Sequence, residues 1–576
     1  MSDSKVATDR EILLAASEKG RLALWGAYVK LSGPGWLQSA ITLGGGSLSG
    51  ALFLGVLGGT DMLWLQLVAI VMGVIMLSAI SYVTLSTGKR PFQAINQHIN
   101  PVLGCGWLLA TSTANMIWCM PQFSLAFDAL NKNLVPGGIL PADASDEVAL
   151  RYRIGVSLVL FVLALVLVVL NERRGTAARL FDWFLKFLVG MVVICFFGVV
   201  IYLMLKEGLP WSKILNGFIP NLEQWNRPTG TVAELVAEAP EAFREFWSTR
   251  IVKAQRDVMI GAAATAVGIN MTFLLPYSML ARGWDKPFRG LARFDLATGM
   301  AIPYIIVTSC VVIAAAYSFH GKVDEAFLSS DPAVMQTSPI YAGALPQLSA
   351  RMVEEMGQDA WLALSADEQA ERIAALAPAE KKLAATLVKR NAFQLSQSLT
   401  PLLGERIAKL VFGLGVLGMG FSTIIILMLI NGYVFRELAP DRWNRQAHFL
   451  GCLVAGGMGV CWPLIWVGES EFWLGILTST FGMILLPIAY VTFFFMMNSK
   501  DLMGDEMPRG IARVIWNVLM LISVAGATVA AGSSIWTKIS NPVAGPTIIG
   551  ITVFFLLMTL VGFAAKPRCP EFDADA

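Results

Sequence analysis

The sequence predicts an all-α integral membrane protein with about twelve transmembrane helices, the first and sixth of them discontinuous. Three observations carry this. Apolar residues make up 56% of the chain and charged residues only 15%, with a mean hydropathy of +0.62; a water-soluble protein has about a quarter charged residues. The deficit concentrates in uncharged stretches of roughly 18 residues or more, the length that crosses the hydrocarbon core. No alternating pattern of about ten residues suggests a barrel, so each span must satisfy its own backbone as a helix.

In chain order, residues 1–30 mix acids and bases and lack a small-residue cleavage site ahead of the first apolar stretch, so a cytosolic segment is expected rather than a removable signal. Arg10 to Lys30 fits an amphipathic helix lying on the membrane surface. Spans are then expected at 32–57, 62–85, 102–128, 154–171, 179–205, 258–281, 296–319, 408–433, 447–467, 472–497, 512–536 and 546–565. They divide the chain into a five-helix block at 31–206, a loop at 207–257 ending in an amphipathic stretch, and a second five-helix block at 258–497. That second block carries a polar helical insertion at 320–407, in which Ser365 and Glu368 fit a capping box. Two further helices fill 498–565, and 566–576 is a tail.

Basic residues set the orientation. Lys89, Arg90, Arg173, Arg174, Arg282, Lys286, Arg289, Arg293, Arg436, Arg442, Arg445, Lys500 and Arg509 fall on alternate connections, whereas the short connections between them hold only Lys538. Both termini are therefore expected in the cytosol, with the loops at 207–257 and 320–407 outside, in a plasma (inner) membrane.

Several classes are excluded. A net charge of +2, with no basic tract interleaved with aromatics, gives no footprint for nucleic acid. The seven cysteines form no CxxC pair and read as small packing residues. Gly413 to Gly418 matches GxGxxG but lies inside an apolar span with no preceding strand. His98, His320 and His448 lack metalloenzyme spacing. No nucleophile, metal motif or carboxylate pair lies within a span, so neither an enzyme nor a cofactor is expected. Asp182 and Lys186, at i and i+4 in span 5, read as a local ion pair.

Two places could meet a solute. Gly44, Gly45, Gly46 and Ser47 stand in the middle of span 1, and each interior Gly costs about 1 kcal/mol relative to Ala. A break there would free backbone groups, which survive at that depth only beside a cavity or buried in protein; the bland alternative is close helix packing through Gly46 and Gly50. Span 6 has a similar interruption from Ala266 to Thr272 with Pro276 beyond it, for which a simple proline kink is the alternative. The breaks open two blocks five spans apart, and an odd offset inverts the second block. Inverted repeats with discontinuous first helices are a common design of secondary transporters.

At these segments the chain resembles the Nramp (natural resistance-associated macrophage protein) family. Gly33 to Ser47 (GPGWLQSAITLGGGS) is similar to that family's first span, which reads GPG and then DPGN; Asn270 to Leu280 falls where the family has MPHN. Leu486 to Ala489, Asn498 to Gly504 and Phe421 to Ile424 resemble the ends of its tenth span and its eighth. The resemblance implies a LeuT-type 5+5 inverted-repeat fold and proton-coupled import of manganese, iron or related divalent ions. The family's Asp and Asn ligands are Gly44 and Ser47 here, its soft Met is Asn270, its His is Thr272, and acidic positions of span 3 are Ser112 and Asn115. Together with Gly45, Gly46, Val267, Gly268 and Ser479 these are the expected substrate-binding residues, with Ser422 and Thr423 as a possible sodium site completed by carbonyls near Leu43 and Gly46. Whether any metal is bound stays open.

Neutral oxygens are a poor cage for a fully dehydrated divalent ion. The expectation is therefore a secondary transporter working by alternating access, with three readings of its partner. The family implies a metal ion; the site chemistry favours a neutral or zwitterionic organic solute, or a partly hydrated ion, with sodium coupling possible; a non-transporting receptor would use the outside insertion. The expected partners are a small solute or ion and the lipid bilayer. The oligomeric state is open, and a monomer suffices.

Overall fold

The computed structural model describes residues 3–141, 144–172, 176–208, 211–390, 392–439, 444–465, 471–539 and 545–564, and among these all regular structure is helical. Among the described residues nine helices are long and apolar enough to cross a membrane: Trp64–Thr87, Pro101–Leu134, Asp146–Leu170, Leu180–Lys206, Lys286–Phe319, Glu405–Leu438, Phe481–Asn498, Gly510–Trp536 and Gly545–Ala564. They are spans 2 to 5, 7, 8 and 10 to 12 of the sequence reading. A tenth is a bent pair, Gly35–Thr42 and Gly45–Gly58, whose axes differ by 55°; its halves are spans 1a and 1b.

The remaining two expected spans do not reach that length and apolarity. Span 6 is two helices, Arg244–Ala266 (6a) and Ile269–Ala281 (6b), and 6a carries Lys253, Arg256 and Asp257 within its length. Span 9 is a 16-residue helix, Arg445–Val460, followed by the short turn Trp462–Ile465.

The breaks have local causes. Span 1a stops at Thr42, Gly44 is extended (φ −87, ψ −178), and helix resumes at Gly45. A Cβ on Gly44 would lie 2.7 Å from the Thr423 hydroxyl, so glycine here also lets span 8 approach. In span 6, Val267 and Gly268 are both extended, and Pro276 sits inside 6b without ending it. A Cβ on Gly268 would meet the Trp118 ring at 2.3 Å.

Packing repeats with an offset of five. Span 1b packs on span 7 and 6b on span 2; span 5 packs on span 8 and span 10 on span 3. Each pair maps onto the other when five is added to or subtracted from its span numbers. Spans 3 and 8 also pack on each other at the centre.

Two expectations need correction. The N-terminal segment is two helices, Asp3–Glu18 and Arg21–Leu31, not one; Gly20 between them has φ +105, a left-handed conformation that helix cannot continue through. Asp182 pairs with Arg282 at the end of 6b, at 3.0 Å, while Lys186 reaches the Ser32 carbonyl at 3.5 Å. A guanidinium from a neighbouring helix won over the local lysine because it is held by packing and offers a planar fork.

The same end of the bundle, predicted cytosolic, is tied by Asp295 at the start of span 7. Its carboxylate accepts from Ser32 Oγ, from Gly33 N at 3.1 Å and from Gly35 N at 2.5 Å. These bonds satisfy free N–H groups at the start of span 1a and pin that half-helix to span 7. At the predicted outer end, the insertion is helical, with helices at Tyr341–Met356, Ala366–Ala374 and Pro378–Thr386. Ser365 and Glu368 form the expected capping box. Glu380 joins Arg351 (2.5 Å) and the indole of Trp247 on 6a (3.1 Å), so the insertion is docked on span 6.

Candidate functional site

A cavity of about 40 Å³ lies between the two breaks, lined by Ile41, Gly44, Gly46 and Ser47 of span 1, Trp118 and Gln122 of span 3, Gly268, Asn270 and Met271 of span 6, and Thr423 of span 8. A water needs about 10–15 Å³ on this measure, so there is room for a few waters, or for an ion with part of its shell. Ordinary small-molecule pockets run to roughly 300–1,000 Å³.

The span 1 break is held from three sides. Gln122 Oε1 accepts from Gly45 N at 2.9 Å, satisfying a donor at the start of 1b. Ser47 Oγ donates back across the break to the Thr42 carbonyl at 2.5 Å. Ser422 and Thr423 donate to the Ala40 carbonyl at 3.0 and 3.1 Å, and also to Met419 O of their own helix. The span 6 break relies on its own residues. Asn270 Oδ1 accepts from Met271 N at 2.9 Å, and Asn270 Nδ2 is wholly buried with no partner among the described residues. Met271 turns its sulfur towards span 1, where Thr42 Oγ1 lies 3.4 Å away.

Of the residues expected at the site, Gly44, Gly46, Ser47, Gly268, Asn270 and Thr423 line this cavity. Gly45 contributes its amide to Gln122, and Val267 forms the break while its side chain packs on Gly73 of span 2. Thr272 is turned into the core, donating to Ile269 O and accepting from Trp107 Nε1. Ser112 donates to Asn431 Oδ1 at 2.8 Å, and Asn431 donates to Gly451 O at 2.9 Å, so it ties spans 3, 8 and 9 together. Asn115 is buried, with neither amide atom partnered among the described residues, and is not among the lining residues. The side chain of Ser479 lies outside the described residues. Ser422 sits behind Thr423 on Ala40, and the carbonyl that the two hydroxyls meet is Ala40 rather than Leu43 or Gly46.

Sequence reasoning missed Trp118, Gln122, Met271 and Ile41. The first two lie three and seven residues past Asn115, on one helix face, so extending that stripe would have found them. Met271 adjoins Asn270, the position at which the family resemblance puts the sulfur ligand, so the resemblance points one residue too early.

Among the described residues the lining includes no carboxylate, ammonium, guanidinium or imidazole, and no three His, Cys, Asp or Glu side chains cluster as a metal site. What remains is neutral. Ser47 Oγ, Thr423 Oγ1, Asn270 Oδ1 and freed carbonyls keep lone pairs, Met271 offers a thioether, and Asn270 Nδ2 is a donor without an acceptor. Such a set can replace part of an ion's water shell or hold a small polar molecule. It has no group that titrates near neutrality.

A family model described as "Natural resistance-associated macrophage protein-like" matches residues 35–345 and 373–537. Among solved structures, two point mutants of the Eremococcus coleocola manganese transporter superpose with a TM-score of 0.60, at 12% identity, over 94% of each chain. The same transporter in complex with an aromatic bis-isothiourea substituted compound gives 0.60 at 13% identity, again over 94% of each chain. At this identity the structures show a shared fold. No curated protein matches the sequence.

Proposed function

The chain belongs to the natural resistance-associated macrophage protein family, and from that premise we propose that it is a secondary transporter moving a small metal cation, with part of its water retained, by alternating access. It is an integral membrane protein. In this reading both termini face the cytosol of the plasma (inner) membrane, and 31–206 and 258–497 are the two repeats that rock about the site.

The observation that carries the reading is the size and chemistry of the cavity. About 40 Å³ between two broken helices admits an ion with a few waters and excludes most organic solutes in this conformation. Taking a divalent ion fully out of water in an uncharged site costs many kcal/mol, whereas a retained partial shell lets hydroxyls, carboxamide and carbonyls act through water. The manganese named for the structural relatives agrees with a cation, and the thioether of Met271 adds a softer donor suited to first-row transition metals.

The roles follow from the contacts. Ser47 and the backbone about Gly44 hold one side of the ion, Asn270 and Met271 the other, and Trp118 and Ile41 exclude bulk water. The Asp295 anchor closes span 1a at the inner end, and its release opens the path to the cytosol. Ser422, Thr423, Ala40 O and Met419 O bring four oxygens together behind the cavity. That group supports sodium coupling, with water or a further carbonyl completing the shell.

A second reading rests on Asn270 Nδ2, since an unused donor asks for an acceptor on the solute. It makes the substrate a small neutral or zwitterionic molecule that enters when the cavity widens. Titration of purified protein with Mn²⁺, Mg²⁺, Na⁺ and an amino-acid panel, beside flux in proteoliposomes, separates the two. Saturable Mn²⁺ binding that is lost in Met271→Leu supports the cation; binding of an amino acid with no cation response overturns it. Binding without flux under any gradient makes the protein a receptor.

A further inference from the structure

Five residues with a carboxylate, ammonium or guanidinium are buried as whole residues among the described ones, Asp295, Arg351, Glu380, Lys381 and Arg390; the Glu437 carboxylate is sealed as well and pairs with Arg90. Four of the five have partners. Asp295 accepts the three bonds at the start of span 1a, Arg351 and Glu380 pair with each other, and Lys381 donates to the carbonyls of Leu328, Ser329 and Ala374. Arg390 is the exception. It is 6% exposed, makes no hydrogen bond or ion pair among the described residues, and its Nε is sealed without an acceptor. Its guanidinium lies over the ring of Phe319, with Cζ 5.2 Å from the centroid.

A guanidinium cannot escape this by discharging. Burial pulls Arg390 down to about 10, which still leaves it protonated at neutral pH, and an unpaired buried charge costs several kcal/mol. The acid that attracts it, Asp324, is beyond ion-pair distance and already committed, accepting from Phe327 N at 3.0 Å and Ser338 Oγ at 2.8 Å. The preceding residue adds more positive charge: Lys389 Nζ lies 5.0 Å over the ring of Phe53, with Asp257 as the carboxylate whose field it feels. The two cations therefore sit where the insertion returns to the bundle, above the far ends of spans 1b and 7.

We propose that Arg390, with Lys389 beside it, holds a small monovalent anion at the predicted outer end of spans 1b and 7. With one face of the guanidinium against Phe319, its in-plane N–H edge is what remains for a ligand. That edge suits chloride, or the carboxylate of a small acid taken side-on by two N–H groups. Aromatic walls favour a weakly hydrated single charge over sulfate or phosphate, whose desolvation cost is larger. The bound anion supplies the counter-charge that Arg390 lacks among the described residues and fastens the insertion to the two helices beneath it.

The test uses full-length protein in detergent, with its thermal unfolding midpoint measured in sodium chloride, sodium formate and sodium gluconate at equal ionic strength. Chloride and formate should raise the midpoint by roughly 2–4 °C over gluconate. Arg390→Met should abolish the difference, and in gluconate it should unfold no lower than wild type, because it removes a charge that has no partner. Arg390→Lys should keep a reduced shift. Equal wild-type midpoints in all three salts overturn the proposal without reference to any variant, and so does a shift that persists undiminished in Arg390→Met.

Discussion

The two broken helices solve the same problem in opposite ways. The span 1 break is held from outside itself, by Gln122 of span 3 and by Ser422 and Thr423 of span 8, so its freed amide and carbonyl are largely satisfied. The span 6 break is capped from within. Asn270 spends its oxygen on Met271 N and leaves its nitrogen with nothing. A staked break is a scaffold, whereas a break holding an unmet polar group is where a ligand has something to offer. On this comparison span 1 shapes the cavity and span 6 reads what enters it.

The sharpest way to break the comparison is Asn270→Leu. Leucine removes both donor and acceptor, and binding of the transported species should fall by roughly 5- to 150-fold, as for loss of a buried polar contact of about 1–3 kcal/mol. Thermal stability should change little, since Asn270 Nδ2 gives up no bond and Met271 N, which loses Asn270 Oδ1, still donates to Gly268 O at 3.1 Å. Unchanged affinity would transfer the reading role to span 1.

Gln122→Leu should show the reverse. It strands the Gly45 amide in the core, and the unfolding midpoint should drop by the equivalent of about 1–3 kcal/mol. An affinity loss with unchanged stability would show that Gln122 contacts the solute instead of propping the helix. The double variant Ser422→Ala/Thr423→Val is expected to lose a few-fold stimulation of uptake by an imposed Na⁺ gradient. Equal uptake with and without sodium in the wild type eliminates that coupling.

The smallest effects concern pH, and they set the neutral centre against the charged outer end. Initial uptake rates should be nearly flat between about pH 5 and 8, because nothing lining the cavity titrates there. Stability should not be flat at higher pH. Burial holds Lys389 down to about 8, below the roughly 10.4 of a free lysine. Between those values the unfolded chain binds more protons than the folded one, so stability should rise with pH across that window. Unfolding midpoints of wild type and Lys389→Met, compared from pH 7 to 10, should converge as Lys389 discharges.

Much of this is legible in the sequence alone. Three glycines in a helix interior carry their own energetic argument, and a serine with a glutamate three residues on is a local signal that needs no tertiary context. What was not legible depends on neighbours far away in sequence. The partner of Asp182 is 100 residues distant, and no i, i+4 rule can name it. The Ala40 carbonyl that meets Ser422 and Thr423 belongs to a backbone whose side chain says nothing about it. Met271 came to the cavity because the start of 6b rotates its thioether towards Thr42, a rotation decided by packing. Span 9 is shorter than its apolar stretch suggested because its helix ends at Val460 and the chain turns there.

The central claim is that a cation sits among neutral groups between the two breaks. The most direct test is a structure determined from protein equilibrated with Mn²⁺, with the anomalous signal of the metal used to place it. The account predicts one peak between residues 44–47 and 268–271, within reach of Ser47, Asn270 or Met271 directly or through one water, and absent in Asn270→Leu. A structure with that cavity empty and the metal held by carboxylates elsewhere would contradict it.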